Sequence, residues 1–166
     1  MIELYKPKIE DLWFKEQLLS CEETMAYNKR YGGCISFSSD KWDSWYNRWM
    51  TDPTKFYRYV VVDGEYVGEV AYHYDNENGV YLVDVIIKHS YRRRGYGKKA
   101  LMLLCDVAFK NGIKTLYDNI DINNSSIELF LKCGFSIIKK TKEYFIAPIL
   151  DFPNIPSQKI TEFIIG

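Results

Sequence analysis

The chain has 166 residues, with 22 Lys+Arg against 22 Asp+Glu and no formal net charge. That length suits one domain with a core that stands without staples, and the charge balance excludes a general polyanion binder, so any anion site must be local. No apolar stretch approaches the ~20 residues of a membrane span, and the two histidines, His73 and His89, have no Cys or His close by in sequence to build a zinc site.

Aromatic residues make up 16% of the chain, with 14 Tyr and 4 Trp, enough to line surfaces as well as a core. The four cysteines (Cys21, Cys34, Cys105, Cys133) show no C-x-x-C spacing and read as reduced thiols of a cytosolic protein. No charged segment followed by an apolar run opens the chain, so no signal peptide is expected.

In chain order, Ile9, Leu12, Trp13, Leu18, Leu19 and Met25 give a helical period over Ile9–Tyr27. "SSDKWDSWYNRWM" predicts a second helix, with Ser38 or Ser39 as cap and Trp42, Trp45, Tyr46 and Trp49 on one face; Pro53 stops it. "FYRYVVV" and "EYVGEVAYHY" flank Asp63-Gly64, a hairpin signal. After the turn Asn76–Gly79, Val80–Lys88 is nearly all apolar and β-branched, as expected of a strand covered on both faces. A basic, glycine-broken loop leads into a helix that starts at about Gly97 and ends at Asn111-Gly112. "KTLYDNIDI" predicts a strand and "NSSIELFLKCG" a short helix capped by Asn124 or Ser125. "FSIIKKT" and "EYFIAPI" predict the last strands, and residues 148–166, with Pro148, Pro153 and Pro156, an irregular tail. The whole, 1–166, reads as one α/β (α+β) domain with a mixed sheet.

The loop "YRRRGYGKK" carries five positive charges in nine residues. Its glycines let backbone N–H groups turn toward a ligand. The helix that follows offers first-turn N–H groups without internal partners and the positive end of its dipole. Together these suit a phosphate or pyrophosphate. A phosphate-binding G-x-x-x-x-G-K-[ST] loop and a G-x-G-x-x-G dinucleotide fingerprint are both absent. Zero net charge and an apolar flanking helix argue against nucleic acid.

Arg92-x-x-Gly95-x-Gly97, after an apolar strand and before a helix, resembles the coenzyme A pyrophosphate loop of the GNAT superfamily of N-acetyltransferases. "NNSSIELFLKCGF" (Asn123–Phe135) resembles that family's later motif, and order and separation also match. The resemblance covers roughly Val80–Phe135. It implies a twisted, mostly antiparallel mixed sheet whose central strands, Val80–Lys88 and Thr115–Ile120, splay apart.

It further implies acetyl-CoA as co-substrate. Its pantetheine arm would lie along the backbone of Val85, Ile86 and Ile87. Its pyrophosphate would sit on the amides of Arg92, Arg93, Arg94, Gly95, Tyr96, Gly97 and Lys98, with the Arg92 and Arg94 side chains helping. Asn123, Ser126 and Phe130 would lie beside the cofactor. The reaction implied is direct acetyl transfer to a primary amine of a small molecule, in a cytoplasmic monomer or homodimer that binds neither nucleic acid nor membrane. A protein N-terminus or lysine as acceptor, and a non-catalytic acyl-CoA-binding module, are the alternatives.

The amine must be neutral to attack, so a base is needed. Asp84, the one charge inside an apolar strand, and Glu69 on the preceding strand are the candidates, because a buried carboxylate needs a partner or a role. His73 suits the pKa but reads as a surface residue. The family's usual proton donor, a tyrosine in the second motif, is replaced here by Phe130. Either Tyr117, Tyr81 or Tyr96 then donates, or the thiolate leaves without help. The tryptophan face reads first as core and second as a wall of the acceptor pocket.

Overall fold

Alternation of side chains places the aromatic and β-branched residues of each strand on two opposed faces. The computed structural model describes residues 1–150. Among these the sheet has seven strands: β1 (Ile2–Tyr5), β2 (Lys55–Val62), β3 (Glu65–Asp75), β4 (Val80–Ile87), β5 (Thr115–Asp121), β6 (Lys139–Lys140) and β7 (Tyr144–Leu150). Their order is β1-β2-β3-β4-β5-β7-β6. All neighbours are antiparallel except β4 and β5, which run parallel and are joined by helix α3 (Tyr96–Lys110).

One face carries Val60, Val70, Tyr72, Val83, Leu116 and Ile120, covered by Ala100, Leu101, Leu104 and Ala108 of α3 and by Phe130 of α4 (Ile127–Lys132). The other carries Tyr57, Tyr59, Val61, Ala71 and Ile86 under α1 (Trp13–Ser20) and α2 (Trp42–Thr51). Each covering helix is amphipathic at i, i+3, i+4 spacing, so hydrophobic burial sets which side of the sheet it takes. The predicted face of α2 packs in this second core, with Trp45 buried and Trp42, Tyr46 and Trp49 partly so.

Several sequence expectations change. β1 went unread, because four residues at the chain start carry too little pattern; it pairs along β2 from Ile2↔Val62 to Tyr5↔Tyr59. The helix expected over Ile9–Tyr27 breaks into a 3₁₀ turn (Ile9–Leu12), α1, and a second 3₁₀ segment (Ala26–Tyr31). Cys21 leaves α1 in an extended conformation, and buried Thr24 turns its hydroxyl to accept the His89 N–H, so a tertiary contact overrides the period. β4 is not covered on both faces, since Asp84 is exposed. Of "FSIIKKT", only Lys139–Lys140 is strand.

The chain does not turn irregular at Pro148, because β7 runs to Leu150. The Pro148 carbonyl accepts the Ser136 N–H on the side away from β5, so the missing proline N–H also points off the β5 ladder, where none is needed. The rest of the expected tail lies outside the described residues.

Leu104 is fully buried between α3 and the sheet. Leu104→Ala is expected to lower stability by about 2–5 kcal/mol, read as a lower urea midpoint at unchanged slope.

Candidate active site

β4 and β5 are in register only at Tyr81↔Leu116 and Leu82↔Tyr117. Beyond these pairs the strands diverge and leave a wedge that opens toward their C-terminal ends. The Lys88 N–H donates to the Val67 carbonyl on β3, so by ladder alternation Ile86 and Asp84 also turn their backbone groups to β3. Val85 turns both of its groups toward the wedge, and Ile87 its N–H, since the Ile87 carbonyl accepts from Arg92 Nε. Of the three residues expected beside the pantetheine arm, Val85 and Ile87 have backbone groups free of the β3 ladder, whereas the Ile86 backbone is used in the sheet.

The basic loop closes the open end. Arg93 (φ 60°) and Gly95 (φ 81°) both take left-handed conformations, which turn successive amides inward. Among the described residues, the N–H groups from Arg93 to Lys98 donate to no protein acceptor, whereas those of Arg92 and Lys99 are used within the loop. These six amides without a protein acceptor, leading into a 15-residue helix, have the chemistry suited to an anion. Gly97 is tightly placed: a Cβ there would lie 3.2 Å from Leu129 and 3.6 Å from Ile87.

The arginines serve this loop differently from one another. Arg92 donates to the carbonyls of Ile87 (2.9 Å), Thr24 (2.6 Å) and Glu23 (3.4 Å). Its guanidinium is thus a strap between the loop and the segment after α1, and burial lowers its pKa. Arg94 donates to the Ser90 carbonyl and lies 5.6 Å from the Tyr91 ring. The sequence reading put an anion on the loop amides with Arg92 and Arg94 helping; in the structure these two guanidinium groups are held by backbone carbonyls.

Glu69 is buried and fully engaged. Lys15 Nζ reaches its two oxygens at 3.0 and 3.2 Å, and the Tyr57 hydroxyl donates to it. The Lys15 ammonium also lies 4.8 Å from the Tyr57 ring centre, 4.9 Å from Trp45 and 5.6 Å from Phe37. Burial and the Glu69 charge push the Tyr57 phenol well above its ordinary range, so it remains a donor. Glu69 thus already has the partner that a buried carboxylate requires, and its oxygens are held inside the core by Lys15 and Tyr57.

The face of the wedge under α2 is assembled by register. His73, Leu82 and Tyr117 form one row across β3, β4 and β5, at the level where the wedge closes; Ala71 and Asp84 begin the next. Asp84 Oδ2 lies 3.4 Å from His73 Nδ1, and Trp49 sits edge-on to the imidazole at 5.9 Å. Asp118, on β5 just past the closed end, is raised well above the usual carboxylate range by burial and by the Asp84 charge.

Tyr27, which sequence reading took as the end of the first helix and gave no role, feels the charges of Glu69, Asp84, Asp118 and Arg92. Burial, followed by these carboxylates, raises its phenol, which therefore stays protonated. Glu22 and Glu23 are solvated.

The second motif forms a loop and a short helix. Asp121 accepts the Asn123 N–H and Asn124 accepts the Ser126 N–H, each at 2.8–2.9 Å, which turns the chain from β5 into α4. Asn123 is exposed, and Ser126 precedes α4 without a side-chain cap bond. Phe130 is buried edge-on to Phe135 at 5.0 Å, so that position holds an apolar contact and no proton donor. Among the described residues no group of His, Cys, Asp and Glu could hold a metal ion, no helix is long and apolar enough to cross a membrane, and all four cysteines are free.

A mixed sheet parted at its single parallel pair, with free amides at the open end, defines a protein built to seat an extended ligand bearing an anionic group. Residues 17–135 match the model of the acetyltransferase (GNAT) family, and the chain belongs to that family. It is 30% identical over 106 residues to N-alpha-acetyltransferase 50 of Danio rerio, covering 55% of this chain and 63% of that one. The chain thus spans under two thirds of that relative's length. Similar folds include spermidine N-acetyltransferase from Vibrio cholerae in complex with CoA and spermine (TM-score 0.74, 17% identity, 90% of this chain and 95% of that one). They also include aminoglycoside acetyltransferase AAC(6')-Ib in complex with coenzyme A (TM-score 0.75, 14% identity, 91% and 95%).

Lys15→Ala would leave Glu69 buried beside Tyr57 without its cation. It is expected to cost about 3–5 kcal/mol, measured by denaturant unfolding. The double replacement Lys15→Met with Glu69→Gln is expected to recover most of that loss.

Proposed function

We propose that this protein transfers the acetyl group of acetyl-CoA to a primary amine. The observation that carries the reading is the run of free amides from Arg93 to Lys98 at the open end of the β4–β5 wedge. A pyrophosphate fits such an array, and the backbone of Val85 and Ile87 offers an extended pantetheine arm a strand-like edge. The thioester then points toward the closed end, where His73, Asp84 and Tyr117 gather.

The chemistry is direct. The amine nitrogen attacks the thioester carbonyl, the new C–N bond forms, and the C–S bond breaks as the tetrahedral intermediate collapses. Coenzyme A leaves as a thiolate and takes up a proton. Backbone amides facing the wedge are suited to polarise the carbonyl. Tyr117 is the proposed donor to the thiolate. By alternation its side chain is on the face opposite Leu116 and Ile120, its hydroxyl has no partner among the described residues, and Phe130 cannot donate.

The acceptor we propose is a small-molecule amine, in line with the spermidine and aminoglycoside acetyltransferases that share the fold. A protein N-terminus is the second reading, favoured by the likeness to N-alpha-acetyltransferase 50. Initial rates with spermidine, an aminoglycoside and a short peptide bearing a free N-terminus decide between them.

Calorimetric titration is expected to give micromolar affinity for acetyl-CoA and much weaker binding of ATP. Gly97→Leu pushes on Leu129 and Ile87 and is expected to lower acetyl-CoA affinity about tenfold or more; unchanged affinity would remove the pyrophosphate assignment. Tyr117→Phe is expected to reduce kcat at least about tenfold with acetyl-CoA binding intact, and an unaltered kcat would reject Tyr117 as donor.

A further inference from the structure

The pairing of His73 with Asp84 goes beyond the proposed acetyl transfer, on which it rests. His73 stands in the row of Leu82 and Tyr117 at the closed end of the wedge, and Asp84 one step toward the open end. His73 Nδ1 is enclosed, and among the described residues it forms no hydrogen bond; the Asp84 carboxylate lies 3.4 Å from it. Nε2 makes no hydrogen bond either, and 30% of the side chain is exposed. Trp49 packs edge-on against the ring and restrains its tilt. The ring thus turns one nitrogen to a carboxylate and leaves the other unpartnered, on a side chain that reaches solvent beside the wedge.

We infer that His73 is the group that takes the proton from the attacking amine, and that Asp84 is a positioning residue that holds it in the required tautomer. A carboxylate at Nδ1 keeps the proton on that nitrogen, so the lone pair of a neutral ring is on Nε2. As the amine nitrogen forms its bond to the thioester carbon, its N–H proton passes to Nε2. The imidazolium that results is stabilised by Asp84 and returns the proton to solvent, while the thiolate of coenzyme A takes a proton from a separate donor. The net change is amine plus thioester to amide plus thiol, with no oxidant or reductant. This arrangement gives Asp84 the role its exposed position allows, and it replaces Glu69, which Lys15 and Tyr57 occupy.

The charged groups around His73 set the pH range. The Asp84 interaction raises its pKa above the ordinary imidazole value, Asp75 on the same strand also raises it, and burial and Lys55 of β2 oppose them. His73 acts when neutral, so kcat/KM should rise with pH through this pKa. Asp84→Asn removes the largest raising influence, so that limb should move to lower pH even as the rate falls.

The test uses the full chain with spermidine, an aminoglycoside and a peptide with a free N-terminus as probes. His73→Gln is expected to lower kcat/KM by about 10²-fold or more, with acetyl-CoA affinity within about twofold of wild type. His73→Ala is expected to regain part of the rate with added imidazole. NMR titration should place the His73 pKa higher in wild type than in Asp84→Asn. Full transfer by His73→Gln, or an unmoved His73 pKa in Asp84→Asn, overturns the pairing while leaving acetyl transfer in place. Failure of wild type to bind acetyl-CoA, or to acetylate any of the probes, overturns the acetyl-transfer reading and the pairing with it.

Discussion

The contact between β4 and β5 ends after two residue pairs, and the rest of the site depends on that early end. A parallel ladder carried to the strand ends would satisfy the backbone of Val85 and Ile87 and leave no edge for a ligand. Parting the strands leaves polar groups that are costly in a dry interior. They are tolerable at a wedge that water or an extended ligand can reach. The sheet itself is held from both sides: α3 and α4 pack on one face, and α1 and α2 on the other.

Electrostatics then divides the work among charged groups that look alike in sequence. Of the carboxylates near the wedge, Glu69 is neutralised by Lys15 inside an aromatic box, Asp84 is exposed beside His73, and Asp118 is raised by burial. Of the arginines in the basic loop, Arg92 is a strap onto three carbonyls and Arg94 bonds back to Ser90. The loop amides from Arg93 to Lys98 are left without a protein partner among the described residues, and two left-handed residues fix their positions. Amides of this kind are preorganised, and need no long side chain to be ordered on binding.

The buried Lys15–Glu69 pair is the riskiest element of the design. Two charges are withdrawn from water, and their attraction must offset that loss. The Tyr57 hydroxyl and the rings of Tyr57, Trp45 and Phe37 complete the solvation of both partners. The aromatic face that sequence reading assigned first to core and second to an amine pocket is indeed core, and the amine it holds is the chain's own.

Local signals determined much of this protein. Asp63-Gly64 specified the β2–β3 hairpin, Asn111-Gly112 the end of α3, and Gly95 and Gly97 the loop before it, because each depends on φ preferences and spacing within a few residues. The two motifs pointed to the family for the same reason. Tertiary structure alone decided that Lys15 meets Glu69 from 54 residues away, that Arg92 turns from the anion site to the carbonyls of Glu23 and Thr24, and that His73 faces Asp84 across two strands. Register, bulges and the break in the first helix bring these groups together, and they arise from packing between segments distant in the chain, which a local pattern does not encode.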